Sequence, residues 1–316
     1  MFSTFSPARC AALFTMFLSH SVALGQMASP AETEFKIIPL ADDLHMLMGI
    51  GGNIAVSNGT DGTFIVDDDL APMSDKLKTA IATISPEPVQ MVFNTHWHFD
   101  HAGGNQFFGE QGTLIVAHDN VRERMSTAQF SSFFNTETKP SPNTALPVIT
   151  FDSTATFHLN GQTIRAIHTP PAHTDGDSIL LFEEANVAHL GDVFFNGMYP
   201  FIDIDGGGSV KGIIDAVDSI LPLLNDDTKI IPGHGPLATL EDLRDYRSML
   251  MLVTARMQIL IDEGKTKDEV IVLRPTFNFD TDWAWSFLPG DRWTGLVYDS
   301  LAGGAVDSST ANDSAK

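Results

Sequence analysis

The run Thr95-His96-Trp97-His98-Phe99-Asp100-His101-Ala102-Gly103-Gly104 constrains this chain more than any other stretch, because it sets three imidazoles and a carboxylate within six consecutive positions. Donors of that kind, so closely spaced, make a metal site. Zinc takes imidazole nitrogen and carboxylate oxygen at about 2.0–2.2 Å. A loop of pattern H-x-H-x-D-H can turn its donors toward two ions where one helix face could not. The apolar residues before it, 90–94, read as a buried strand, and the glycines after it suit a tight loop opening a helix. The donors therefore sit at a strand's carboxyl end, where layered α/β folds place their chemistry.

Around this loop the chain alternates strands and helices. Residues 35–69 carry short β-type runs at 35–38, Leu44–Met48, 54–56 and 63–66, a meander of strands. Residues 73–84 put Met73, Leu77, Ala80, Ile81 and Ile84 on one helical face. A strand at 113–117 and a helix at 119–128 follow, then a polar, proline-containing stretch at 135–147 that reads as a long surface loop. The second half repeats the order, with strands near 155–159, 163–168, Ser178–Phe182 and 187–190, a helix near 211–224 and a strand at Lys229–Ile231. Helices at 239–262 and 266–272 complete it. Two halves of strands followed by helices predict an α+β chain, with two sheets packed face to face and helices outside.

At 316 residues the chain needs no metal merely to hold a small fold together, which frees an ion for chemistry. Residues 1–25 read as a signal peptide: a weakly basic start ending at Arg9, an apolar run over 10–24, and small residues at Ala23-Leu24-Gly25. The apolar run is shorter than the roughly 20 residues a spanning helix needs. The expected product is a domain over 26–302 in the periplasm or secreted, without stable membrane insertion. Its tail at 303–316, rich in Ser, Asp, Ala and Gly, should be disordered. The only cysteine, Cys10, falls inside the leader, so neither thiol ligands nor disulfides are expected afterwards. A net charge of −22 opposes phosphate backbones and anionic membranes, which sets nucleic acid aside as a partner.

Three more positions stand in glycine- or proline-marked turns after expected strands: His173 in Pro170-Pro171-Ala172-His173-Thr174, Asp192 in Leu190-Gly191-Asp192-Val193, and His234 in Pro232-Gly233-His234-Gly235. Taken in order with the first run, they resemble the metal motifs of the metallo-β-lactamase superfamily over roughly 35–235. The resemblance implies a four-layer αββα sandwich with two zinc ions per chain. His96, His98 and His173 would hold the first, Asp100, His101 and His234 the second, and Asp192 would bridge them. Two divalent ions sharing a hydroxide supply a nucleophile near neutral pH, one polarising the attacked carbonyl while the other receives the leaving group. Asp100 then has a catalytic role as well, accepting a hydrogen bond from the hydroxide and fixing its aim.

The expected substrate is a small acyl compound, a lactam, lactone, ester or thioester, with β-lactam hydrolysis left open as a main or promiscuous activity. The β-lactamase class with a cysteine ligand carries it at the Asp192 position and a lysine soon after. Here Asp192 is followed by the uncharged Val193-Phe194-Phe195-Asn196-Gly197. The oxygen-reducing diiron branch has a glutamate at the His98 position, export argues against intracellular glutathione thioesters, and export and charge argue against nucleic acids. Two other readings remain: a mononuclear iron oxygenase acting on sulfur compounds, and a non-catalytic zinc-binding export factor, which would have no use for Asp100.

The other histidines, His45, His118, His158, His168 and His189, are expected to be structural, with His118 and His189 the two that could instead support ligands. Asp175 and Asp177 either orient ligand imidazoles or, preferably, serve their own turn. Trp97 and Phe99 read as wedges packing the loop. The aromatic residues of 194–204, and Phe130, Phe133 and Phe134, either roof an apolar pocket or belong to the core.

Overall fold

Residues in the strands alternate between two apolar environments, and this period of two builds the layers. Leu44 and Met46, Ala55, Phe64 and Val66, and Phe93 face one way and meet Ile164, Ala166, Leu180, Phe182, Val187 and Ile231 of the second half. Their neighbours Leu47, Ile54, Val56, Ile65 and Val92 face the other way, onto Leu77, Ile81 and Phe108 from helices. In the second half the opposite faces, Ile179, Leu181, Ala188 and Ile230, pack on a different set of helices. The result is the αββα sandwich that the sequence reading expected. The computed structural model describes residues 29–303, so the proposed leader, and the tail beyond Gly303, lie outside the described residues.

The first sheet has the order β1 (Lys36–Ala41), β2 (Leu44–Met48), β3 (Ile54–Gly59), β4 (Gly62–Val66), β5 (Val89–Phe93), β6 (Leu114–His118) and β9 (Ile149–Phe151). It is antiparallel through β4 and parallel from β4 onward. The helices α1 (Ser74–Ala82), α2 (Phe99–Ala102), α3 (Asn105–Gly109) and α4 (Asp119–Ser126) connect these parallel strands. The second sheet runs β10 (Thr154–Leu159), β11 (Gln162–His168), β12 (Ser178–Phe182), β13 (Val187–His189) and β14 (Lys229–Ile231), with β13 and β14 parallel. Against it lie α5 (Val210–Ile220) and α6 (Leu240–Asp262), followed by α7 (Lys267–Leu273), α8 (Asp280–Trp283) and α9 (Gly290–Gly303). Thr239 and Asp242 form a reciprocal cap that starts α6. Among the described residues no helix is long and apolar enough to cross a membrane.

The structure corrects several boundaries. The stretch at 135–147 is not simply a loop: β7 (Gln129–Ser131) and β8 (Thr136–Thr138) form a hairpin, and a 3-10 turn at Asn143–Ala145 leads into β9. Asp205, from the other half, accepts hydrogen bonds from Ser132 N at 2.6 Å and Ser132 Oγ at 3.1 Å, and so ties down the hairpin turn. The helix expected to reach residue 224 stops at Ile220, where a 3-10 turn containing Pro222 takes over.

Candidate metal centre

Each of the seven donors leaves the end of a strand on the same edge of the sandwich. His96 and His98 follow β5, Asp100 and His101 lie in α2, and His173 sits in the turn between β11 and β12. Asp192 follows β13 and His234 follows β14. The main chain bridges the seam between the halves, with Asn53 N donating to Gly233 O at 2.8 Å, while Gly52 N donates to Asp100 O at 2.9 Å within the first half. The Asn53 side chain adds bonds to Pro232 O and Gly235 O, both 2.9 Å. Close approach explains two glycines here. A Cβ on Gly233 would fall 1.9 Å from Asp192 Oδ1, and one on Gly52 would fall 2.1 Å from the His101 ring.

The donors gather in two groups. Ligand atoms of His96, His98, His173 and Asp192 lie within 4.8 Å of one another, and so do those of Asp100, His101 and His234. Asp192 stands between the groups. Its Oδ2 is 3.4 Å from His173 Nε2 and 3.8 Å from His96 Nε2, while Oδ1 is 3.0 Å from His101 Nε2 and 3.5 Å from His234 Nε2. Asp100 Oδ2 lies 3.2 Å from His234 Nε2.

The outer nitrogens of four of the five rings have partners, which fixes where those rings' lone pairs point. His98 Nε2 is 2.9 Å from Asp203 Oδ2, His101 Nδ1 is 2.7 Å from Asp67 Oδ2, and His173 Nδ1 is 2.9 Å from Phe201 O. The Thr95 hydroxyl donates to Asp67 Oδ2 at 2.8 Å, so toward His96 Nδ1, 3.1 Å away, it can only accept. With protons on these outer nitrogens, the inner ones carry lone pairs. The inner His98 Nδ1 and His173 Nε2 thus face each other at 2.8 Å, and His101 Nε2 lies 3.3 Å from His234 Nε2. Buried His96 Nε2 has no hydrogen-bond partner among the described residues. Converging lone pairs and an orphaned buried nitrogen are what a cation would satisfy, so the donor set fits a pair of divalent metals.

Without a cation these groups settle charge among themselves. Burial opposes ionisation of Asp192, but His101, His234 and His173 hold its carboxyl well below the usual range. Burial also opposes a proton on His101, yet Asp192, Asp67 and Asp100 raise its pKa well above normal. For His234 burial is likewise outweighed, chiefly by Asp192 and Asp100, and its pKa rises to about 9. His173 falls to about 4, mainly because it is buried.

Sequence reasoning missed the supporting groups Asp67, Asp203, Thr95 Oγ1 and Phe201 O. The acidic run Asp67-Asp68-Asp69, placed straight after a buried strand, was a usable signal, since three buried acids demand partners. Asp67 takes the left-handed conformation, φ 62°, which Asp tolerates better than most residues. Asp177 serves its turn, as preferred: it accepts bonds from His173 N and from Thr174 N and Oγ1. Asp175 pairs with Arg124 at 2.6 Å. His189 bonds Asn53 O and accepts from Gly191 N, His118 and His168 stack at 3.6 Å, and His158 is exposed. Trp97 packs on the cluster beneath α4 as a wedge, but Phe99 does not: it is 67% exposed beside Asp100. Both readings of the aromatic residues have a share of the truth. Phe194, Phe195 and Tyr199 are core, Phe130 is exposed, and Phe133 and Phe134 pack on Phe201 beside the centre.

Comparison with known proteins agrees with this geometry. A family model described as the metallo-β-lactamase superfamily matches residues 56–235. A hydroxyacylglutathione hydrolase of Haemophilus influenzae is 26% identical over 153 residues, 48% of this chain and 71% of that protein. A probable hydroxyacylglutathione hydrolase of Schizosaccharomyces pombe is 28% identical over 211 residues, 63% of this chain and 69% of its own length. Among solved structures, a metallo-β-lactamase from Pontibacter korlensis superposes with a TM-score of 0.57 at 17% identity, over 69% of this chain and 99% of that one. A sec-alkylsulfatase from Pseudomonas sp. gives 0.63 at 17% identity, over 84% of this chain but only 50% of its own. At such identities the superpositions speak for the fold alone. The match of the family model over more than half of the sequence establishes that this chain belongs to the metallo-β-lactamase superfamily.

Proposed function

We propose that this chain is an exported hydrolase that cuts an acyl bond of a small molecule with the help of two zinc ions. One observation carries the reading: the two oxygens of Asp192 face different donor groups, Oδ2 toward His96 and His173, and Oδ1 toward His101 and His234. Seven donors exceed what one tetrahedral ion can use, which favours two ions over the single iron of the oxygenase reading. Such a pair, when bound, supplies Lewis acidity and a water that deprotonates near neutral pH.

The chain's own residues supply the rest. Asp203, Asp67, Thr95 and the Phe201 carbonyl hold the imidazoles in the tautomers that aim lone pairs inward. Asp100, whose side chain is 23% exposed, lies at the open side of the site. Burial works against its charge, but His101 and His234 keep its carboxyl well below the usual range, so it is available as a hydrogen-bond acceptor for the attacking water. The relatives named as hydroxyacylglutathione hydrolases support acyl chemistry and favour thioesters among the candidate bonds. Export to the periplasm or the medium rests on the reading of residues 1–25, with 26–302 as the mature domain.

Elemental analysis of natively purified protein should find close to two zinc ions per chain. A panel of β-lactams, acyl lactones, thioesters and phosphodiesters should give its best rate on an acyl compound and its slowest on phosphodiesters. One tightly held metal with no gain on adding zinc, or a preference for phosphodiesters, would overturn the proposal. Mass spectrometry of exported protein should place its first residue just after Gly25. Retention of residues 1–24 would make that segment an anchor.

A further inference from the structure

A cavity of about 550 Å³ lies against the metal centre and shares Phe201 and Asp203 with its surroundings. That volume falls within the range of ligand pockets, about 300–1,000 Å³. Its apolar walls come from separate elements: Phe133 at the hairpin turn, Ile202 and Ile204 after Phe201, Ile271 of α7 and Leu296 of α9. Phe201 borders both the cavity and the imidazoles. Its ring centroid is 5.8 Å from His173 and 6.1 Å from His98, and 4.9 Å from Phe133. Phe287 extends the same aromatic wall, 5.7 Å from Phe133.

Most charged groups lining the cavity are already engaged. Lys267 pairs with Asp299, Asp203 holds His98 and Gly206 N, and Asp205 holds Ser132. Asp291 accepts from the main-chain N of Arg292. Arg292 itself is different. Its guanidinium lies 4.1 Å from the Phe133 ring centroid and 5.3 Å from that of Phe287, and Nη1 donates to Phe287 O. Among the described residues it forms no ion pair, in a chain with 40 acidic and only 18 basic residues. A planar cation stacked on aromatic rings keeps its remaining N–H donors free for a planar or tetrahedral anion.

We propose that this cavity is a distal subsite for the substrate, taking a flat apolar group that bears a single anionic substituent recognised by Arg292. Its place in the substrate rests on the hydrolase reading; its ligand chemistry does not. The five residues after Asp192 carry no cation, whereas Arg292 supplies one in the cavity lining. Arg292 is thus a specificity-determining residue rather than a catalytic one.

The test uses two fluorescent probes with one skeleton, anilinonaphthalene sulfonate and the uncharged phenylnaphthylamine, titrated into both metal-free and zinc-loaded protein. Arg292→Gln should weaken the sulfonate about tenfold, the scale of one charge-assisted hydrogen bond, and change the neutral probe by less than about twofold. Equal losses for both probes would mean that Arg292 only props the Phe133 turn, and no loss for either would remove it from recognition. Leu296→Trp, which fills the cavity, should abolish binding of both while the zinc content stays the same, and unchanged binding would place the probes elsewhere. The sulfonate should also raise KM for the best acyl substrate without changing kcat; binding that leaves KM unchanged would detach the cavity from the substrate. Probe binding to metal-free protein stands or falls independently of any hydrolysis.

Discussion

Replacing Asp203 with asparagine tests the support of a single imidazole. Asp203 Oδ2 is 2.9 Å from His98 Nε2, Oδ1 accepts from Gly206 N at 3.0 Å, and the side chain is 6% exposed. Asparagine offers one acceptor oxygen in place of two, and its amide nitrogen can accept from neither donor. One of the two bonds is therefore lost in a buried place, together with the negative charge that sharpens the basicity of His98. Losing a carboxylate of this kind costs about 10- to 100-fold in metal affinity, or roughly 1.4–2.7 kcal/mol. Because both oxygens are in use, the upper end is expected. Zinc titrated against a chromophoric chelator should show one of two sites weakened about 100-fold and the other near its original affinity. Unchanged affinities at both sites would refute the tautomer argument, and equal weakening of both would mean that Asp203 acts through the fold at large.

Asp100→Asn, assayed in excess zinc, should lower kcat much more than it raises KM, since its proposed work is on the attacking water; full activity with full metal would remove it from the mechanism. His173→Ala should cost most of the zinc affinity and turnover, whereas His189→Gln should cost far less, because His189 faces Asn53 O and Gly191 N rather than the donor groups. In the metal-free protein His234 has its pKa raised to about 9 and His101 is also raised. Folding then takes up protons at these rings, a stabilisation complete below the unfolded value of about 6.5 and lost as pH rises through about 9. The melting temperature of metal-free protein should accordingly fall across that window, while the zinc-loaded form, whose rings hold metal in place of protons, should not follow it. Calorimetry in buffers of different ionisation enthalpy should detect proton release when zinc binds at neutral pH, and zero release would contradict the assignment.

All seven donors were legible in the sequence because each is marked locally, by its spacing in the His/Asp run or by a glycine or proline turn after a strand. Their supports were not, because support depends on contacts across the fold. Asp203 lies 105 positions beyond His98, and the glycines at 206–208 mark its turn without showing which imidazole it meets. The strand β9 was missed for a different reason: it is a three-residue edge strand, with Ile149 and Thr150 exposed, and gives no alternation to read. In α9, Trp293, Leu296, Val297 and Leu301 do keep helical spacing, but Gly290, Gly295 and Gly303 hide it from a propensity argument.

The seam position of the donors has a mechanical consequence. His96, His98, Asp100 and His101 come from the layer of the first sheet, and His173, Asp192 and His234 from that of the second. Each ion would thus clasp both layers, as a rivet does. The chain's only cysteine is Cys10, so the mature form proposed above, beginning after Gly25, would have no disulfide with which to brace itself. A metal present at a thousand times its dissociation constant adds about 4 kcal/mol to folding stability, and a disulfide typically adds about 2–4. Two such rivets would match a cross-linked scaffold, so a strong chelator in the surroundings would disarm this protein and loosen it in the same stroke.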